Sequence, residues 1–284
     1  MKNLTQRLVC CLIVTVLLLW QSTVFTQEIL PADLYFGQTP PGDTPEIFAP
    51  GIISTTEDIY GFEISPSGAE MIYTRPTGIH IIQFKSGKWS EPEVISFSIT
   101  GNNGECCFSR DGSKIYFNSR RSCPESEAAS NIWISDRTNN GWSEPYYSKL
   151  SKPGATVHSV SVASNGNIYC DGVTKFVYEN WNYSEAQKLS PEIKGAHVFI
   201  ASDESYILFD QRYSGRGTDI FISFTKPDGT WTTPVALDNI NTTSSERQPF
   251  VSGDGKYFFF TRNNKVYWVK ADFIKELKTA ELSQ

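Results

Sequence analysis

The chain has 284 residues, 39% hydrophobic and 13% aromatic, enough for one large domain with a substantial core. Its 25 basic and 31 acidic residues give a formal net charge of −6 with no basic stripe, which disfavours a nucleic-acid partner. No CxxC pair occurs and there are only three histidines, so no zinc pattern is present and neither a metal nor a cofactor is expected.

Residues 1–26 read as a secretory signal. Lys2 and Arg7 make a basic start, Leu8 to Trp20 is almost wholly apolar, and a polar stretch follows from Gln21. About 13 apolar residues is short of the ~20 that a membrane span needs. The segment Val24-Phe25-Thr26 is not a small-x-small cleavage site, so an uncleaved N-terminal anchor is the alternative. Cleavage leaves 23 basic against 31 acidic residues, a net of −8, on an exported, periplasmic or extracellular chain with no further membrane segment. That compartment allows disulfides among Cys106, Cys107, Cys123 and Cys170.

Residues 27–43, with Pro31 and Thr39-Pro-Pro-Gly-Asp, form an extended lead-in. A cassette of apolar strand, tight turn and second apolar strand then recurs five times. The copies begin at Ile64-Ser-Pro-Ser-Gly68, Phe108-Ser-Arg-Asp-Gly112, Val162-Ala-Ser-Asn-Gly166, Ile200-Ala-Ser-Asp-Glu204 and Val251-Ser-Gly-Asp-Gly255. Successive cassettes stand 44, 54, 38 and 51 residues apart, which suits four strands per unit with variable loops.

A third strand follows in each unit, and then a fourth marked by Trp89-Ser-Glu-Pro92, Trp142-Ser-Glu-Pro145, and the degraded copies Tyr183-Ser-Glu-Ala186 and Trp231-Thr-Thr-Pro234. Proline cannot donate to a ladder, so this is an outer edge strand. Runs such as Tyr257-Phe-Phe-Phe260 suit blades buried on both faces.

The expected fold is therefore an all-β, five-bladed propeller over residues 44–277, with a C-terminal tail at 278–284. The fifth unit lacks its fourth strand. Thr44 to Ile53 is expected to supply it and close the ring, because an unpaired edge would otherwise remain. A sixth blade lacks the residues to build it.

These repeats resemble the bacterial TolB-type, WD-like β-propeller repeats over about residues 44–270. The carriers are the Ser-x-Asp-Gly turns, the Asp-Ile-x-x-Ser of Asp219–Ser223 and the Trp-Ser-Glu-Pro strands. The resemblance implies an exported propeller that binds rather than catalyses. TolB's separate N-terminal domain has no counterpart here, so its partner, a peptidoglycan-associated lipoprotein, is not carried over.

Antiparallel register brings two sets of residues to one rim of the central channel. The first is Gly61, Glu105, Ser159, His197 and Gln248, with Tyr60, His158 and Arg247 beside them; the second is Arg75, Arg120, Asp171, Arg212 and Arg262. One reading is a polar mouth whose arginine forks take a protein, peptide or glycan ligand. The other is that these arginines fasten blades by pairing with Glu57, Glu63, Glu105 or Glu246. A monomeric binding or scaffold propeller is expected, and a glycoside hydrolase or lyase on the same fold is the alternative. Glu63, Glu105, Asp171 and Asp210 qualify as acids for it by position only. With Asp111-Gly112 as the turn, Cys107 lies opposite Tyr116 and Cys106 opposite Phe117, so either cysteine comes within disulfide reach of Cys123. Burial of all four cysteines as small apolar residues is the equal alternative.

Overall fold

The computed structural model describes residues 35–99, 102–150, 157, 159–171, 174–180, 182–213 and 217–283. The expected signal segment, residues 1–26, lies outside them. Five antiparallel sheets form a ring of blades. Blade 1 runs from its inner strand Tyr60–Ile64 through Glu70–Arg75 and Gly78–Lys85 to an outer edge in two pieces, Lys88–Trp89 and Glu93–Val94. Blade 2 is Asn103–Phe108, Lys114–Ser119 and Asn131–Thr138, edged by Gly141–Trp142 and Tyr146–Tyr147. Blade 3 has the short strands Val160–Val162, Ile168–Cys170, Thr174–Phe176 and Gln187–Lys188. Blade 4 is Ala196–Ile200, Tyr206–Tyr213, Gly217–Phe224 and Val235–Ala236.

Blade 5 closes the ring. Its inner three strands, Glu246–Val251, Tyr257–Arg262 and Lys265–Lys270, come from the C-terminal end, and its outer strand is Glu46–Ile47. Glu46 pairs with Trp268 and Ile47 with Tyr267, as the missing-edge argument requires. Phe48 follows at once and is fully buried, with its ring 5.4 Å from Phe62, 5.2 Å from Phe259 and 5.1 Å from Trp268. It therefore joins blade 1 to blade 5 through apolar area and edge-to-face ring contacts. The lead-in belongs to the same body: Tyr35 is buried against Trp268, Phe36 stacks on Trp89, and the Gly42 carbonyl accepts from the Lys270 amide.

The repeat signatures have a common structural cause. In each cassette turn the fifth residue (Gly68, Gly112, Gly166, Glu204 and Gly255) has a positive φ. Glu204 takes this left-handed position despite its Cβ, and its carboxylate receives Asn165, Asn167 and Tyr169 of the neighbouring blade. In the Trp-Ser-Glu-Pro strands the hydroxyl accepts from an amide of the third strand or of the residue just after it. The pairs are Ser90 with Gln83, Ser143 with Asp136, Ser184 with Val177 and Thr232 with Phe224, all at 3.0–3.1 Å. A side chain thus holds the edge where proline interrupts the ladder. The tryptophans pack rather than stand free: Trp142 lies against Phe108, and Trp231 packs on the core between blades 3 and 4. A helix, Phe273–Leu282, caps the C-terminal end with Ile274 buried, so the expected tail boundary at 278 falls inside it.

Phe48→Ala should cost about 3–5 kcal/mol, the range for a fully buried aromatic. Deleting residues 35–53 should lower the unfolding temperature further, because the Lys265–Lys270 edge is then left open. Thermal unfolding followed by circular dichroism checks both, and an unchanged midpoint after the deletion would contradict this closure.

Candidate functional site at the channel mouth

Four inner strands enter their blades through a β-bulge, between Tyr60 and Phe62, Asn103 and Cys106, Ala196 and Phe199, and Arg247 and Phe250. The extra residue re-aims a side chain out of the sheet. The residues so placed are Gly61, Glu105, His197 and Gln248, and with Ser159 they surround a waist of about 50 Å³ on the channel axis. Gly61, His197 and Gln248 share left-handed backbone, with φ of 66°, 47° and 55°. For His197 and Gln248 this conformation is strained, and the surrounding hydrogen bonds hold it. At Gly61 a Cβ would come within 3.2 Å of the Glu105 side chain, and at Gly104 it would overlap Asn118. Only glycine leaves Glu105 its place.

His197 is the centre of this waist. Its Nδ1 lies 2.6 Å from Asp210 Oδ2 and its Nε2 3.0 Å from Glu105 Oε1. Ionised carboxylates only accept, so both ring nitrogens donate and the ring is an imidazolium. Burial alone would lower its pKa, but the fields and hydrogen bonds of Glu105 and Asp210 outweigh it and hold the value well above the usual range. Gln248 donates its amide nitrogen to Glu105 at 2.6 Å and its backbone N–H to Asp210 at 3.0 Å. Asp171 accepts from the Ser159 hydroxyl at 2.8 Å and the His197 backbone N–H at 3.1 Å. Four blades are thereby tied at one point.

Above the waist opens a polar cavity of about 500 Å³, within the size range of small-ligand pockets. Glu105, His197 and Gln248 form its floor, and Tyr60, Asn102, Arg120, Arg247, Asn263 and Asn264 its walls. Tyr60, Arg120 and Arg247 are exposed.

The expected rim thus divides. Tyr60, Glu105, Arg120, His197, Arg247 and Gln248 meet at the cavity, and Asp171 supports its floor from below. His158 lies outside the described residues. Arg75 and Arg262 are corrections: each turns away from the channel. Arg75 pairs with Glu57 and donates to the Ile53 carbonyl, and Arg262 pairs with Glu246 at 2.6 Å and donates to the Ile240 carbonyl. These two are fasteners at the entry to their own inner strand, whereas Arg120 and the exposed Arg212 have no such pair among the described residues; Arg212 stands outside the cavity wall.

Asp210 is the residue the rim pattern leaves out. It pairs with Ala196, just before His197, at the register where Thr74 pairs with Tyr60 and Thr261 with Arg247. Asn118 of blade 2 and Asp171 of blade 3 fall at the same register, so a polar residue recurring there in every blade was the available signal. The turn register of the cysteines is as expected, with Cys106 opposite Phe117 and Cys107 opposite Tyr116. The disulfide is absent from the structure: Cys123 bonds to neither Cys106 nor Cys107, and Cys106, Cys107 and Cys170 are buried. Cys106 faces blade 1, where its sulfur meets the Thr74 hydroxyl at 3.7 Å, and Cys123 packs beside the same core without bonding.

No protein-family model matches the chain, and no curated protein is similar to it in sequence. Solved structures do share its fold. TolB from Acinetobacter baumannii superposes with a TM-score of 0.51 at 17% identity, over 76% of this chain and 55% of its own. This chain therefore spans little more than half of that protein's length. A putative TolB from Agrobacterium tumefaciens (TM-score 0.46, 15% identity, 73% of this chain and 71% of its own) is also similar. So is a gluconolactonase from Xanthomonas campestris (0.47, 12%, 74% and 71%). The resemblance to TolB-type propellers read from the repeats holds at the level of the fold.

Because His197 has a raised pKa, its contribution to stability is complete below its unfolded value of about 6.5 and is lost as pH rises through its folded value. Asp210→Asn should lower the folded value and bring that alkaline loss to lower pH. NMR titration of the imidazole, with unfolding temperature followed across the same range, measures both. An imidazole that titrates near 6.5 in the parent protein would contradict the ion-pair geometry.

Proposed function

We propose that the chain is an exported, monomeric, non-catalytic binding propeller that takes a polar ligand (protein, peptide or glycan) in the cavity above the waist. The observation that supports this most is the division of labour between floor and wall. On the floor, Glu105, Asp171 and Asp210 are engaged with His197, Gln248 and Ser159. Hydrolysis of a glycosidic bond asks for two carboxyl groups facing each other across an open cleft. Here the imidazolium of His197 occupies the space between Glu105 and Asp210, which favours binding over the glycoside-cleaving alternative.

The wall is the complementary half. Arg120 and Arg247 are exposed, and guanidinium forks make directional, charge-assisted bonds to carboxylate, phosphate or sulfate oxygens. Asn102, Asn263 and Asn264 add amide donors and acceptors suited to hydroxyl and peptide groups. A rigid floor beneath such a wall lowers the ordering cost of binding. No helix of the described residues is long and apolar enough to cross a membrane.

A thermal-shift screen of the protein against glycans, short peptides and oxyanions tests the proposal, since a ligand at 100 times its Kd stabilises by about 2.7 kcal/mol. Arg120→Ala and Arg247→Ala should each weaken the ligand found by roughly tenfold while leaving the unfolding temperature unchanged, because neither side chain is buried. Turnover of a glycan that is lost on Glu105→Gln would instead establish the enzyme.

A further inference from the structure

The opposite end of the channel holds the larger cavity, about 970 Å³, and nothing in the reading of the upper mouth uses it. It is bounded by the cassette turns, and their third residues, Pro66, Arg110, Ser164, Ser202 and Gly253, all line it. Four of the five are small or compact. The fifth is an arginine that reaches across the mouth: Arg110 Nε donates to the Val162 carbonyl at 2.6 Å and Nη2 to the Ile200 carbonyl at 2.8 Å, with the guanidinium over the Phe199 ring. Two of its nitrogens are spent on backbone, and Nη1 has no protein acceptor among the described residues.

Glu63 enters the same cavity from the inner strand of blade 1. Its side chain is buried, with 7% exposure, among Ile64, Phe250 and the turns. Oε2 accepts the Phe108 N–H at 2.6 Å, two residues before Arg110, and Oε1 has no donor among the described residues. A buried carboxyl that lines a roomy cavity of mixed polarity, with one oxygen unpartnered among the described residues, is rare in a structural role.

We propose that the lower mouth is a second binding site, specific for a monocarboxylate whose carboxylate docks on Arg110 and Glu63. The charges on the wall select that class. Arg137 is paired with Glu70, and Lys85, exposed on the third strand of blade 1, donates to Gln83, so Arg110 is the cation acting beside Glu63. A single guanidinium matches a single negative charge. A phosphate dianion meets the additional acids Glu70 and Asp111, and a cation meets Arg110 itself.

Glu63 completes the site as a neutral acid that donates its proton to the ligand carboxylate. Burial pushes its pKa up to about 7, against the opposing effects of Arg110 and the Phe108 N–H. The other titratable groups coupled to it are the Cys106 and Cys107 thiols on the facing strand of blade 2, both raised by burial and neutral in this range. The carboxylate therefore binds together with retention of a proton on Glu63, and affinity falls as pH rises through the Glu63 value. Phe250, Phe84 and Ile64 leave room for an apolar body behind the carboxylate.

N-acetylglycine and its amide, N-acetylglycinamide, are the probes, titrated into the full-length protein and followed through backbone amide resonances. The acid should shift Phe108, Arg110 and Ser164 with a Kd on the order of 1 mM, ordinary for about eight heavy atoms, and weaken about 30-fold between roughly pH 6 and pH 8.5. The amide should shift none of them. In Glu63→Gln, which keeps the bond to Phe108, binding should persist and lose its pH dependence; in Arg110→Lys it should weaken at every pH. Shifts confined to Asn102 and Asn263 would report the upper mouth alone and overturn this site without touching the other. Equal binding of the amide, an unchanged pH profile in Glu63→Gln, or silence of the lower amides at about 20 mM acid would overturn it as well. If Arg110→Lys fails to fold, the Glu63→Gln profile decides.

Discussion

The structure depends on ring closure. A propeller blade buries both faces, so every blade needs a neighbour on each side, and the last blade must be locked to the first. Here that lock is a two-residue strand, Glu46–Ile47, with Phe48 immediately behind it in a nest of Phe62, Phe259 and Trp268. The backbone pairs supply register, and the aromatic cluster supplies the apolar burial that so short a strand cannot supply itself. Residues at opposite ends of the chain therefore share one sheet, and the cooperativity of the whole ring rests on it.

A closed ring fixes five inner strands around one axis, and the bulges determine what fills it. Bulging turns Glu105, His197 and Gln248 inward, and an axis filled by acids alone would be self-repelling. One imidazolium placed between two carboxylates resolves this, while the backbone amides of His197 and Gln248 meet the remaining acceptors. Left-handed backbone at those two residues is the cost, and it is concentrated at the point where four blades meet. The consequence is a stiff septum that separates two cavities of different chemistry. The upper is rich in exposed arginine and amide groups; the lower holds a buried acid beside a partly committed arginine.

Sequence repeats obscure this asymmetry because they report what the blades have in common. The recurring arginine after the second strand is the clearest case. Arg75 and Arg262 have acids just before or at the start of their own inner strands, Glu57 and Glu246, and turn to them. Arg120 has no such acid and remains at the cavity wall. The function of the position is decided by a neighbour many residues away, which a repeat alignment within one chain does not register. The same holds for Cys123. Loop length brought it within reach of the vicinal cysteines, but strand twist turns Cys106 toward Thr74 in the next blade.

Local chemistry was enough for the architecture. Turn residues with positive φ, apolar strands on either side and a proline-bearing edge strand are each determined by neighbours a few residues apart, so five copies of them specify five blades. The closing strand was legible for a similar reason, since an edge lacking a partner and a strand lacking a blade are both visible along the chain. The ring of Gly61, Glu105, Ser159, His197 and Gln248 could also be placed, because antiparallel register counts outward from each turn. Only the tertiary structure decided which of these groups bond to one another. Glu105 on His197, Arg110 across the lower mouth and Glu63 at its base are contacts between blades, set by bulge geometry and by side chains reaching across the axis. Such distances are summed over many backbone angles, and no local pattern in the sequence encodes them.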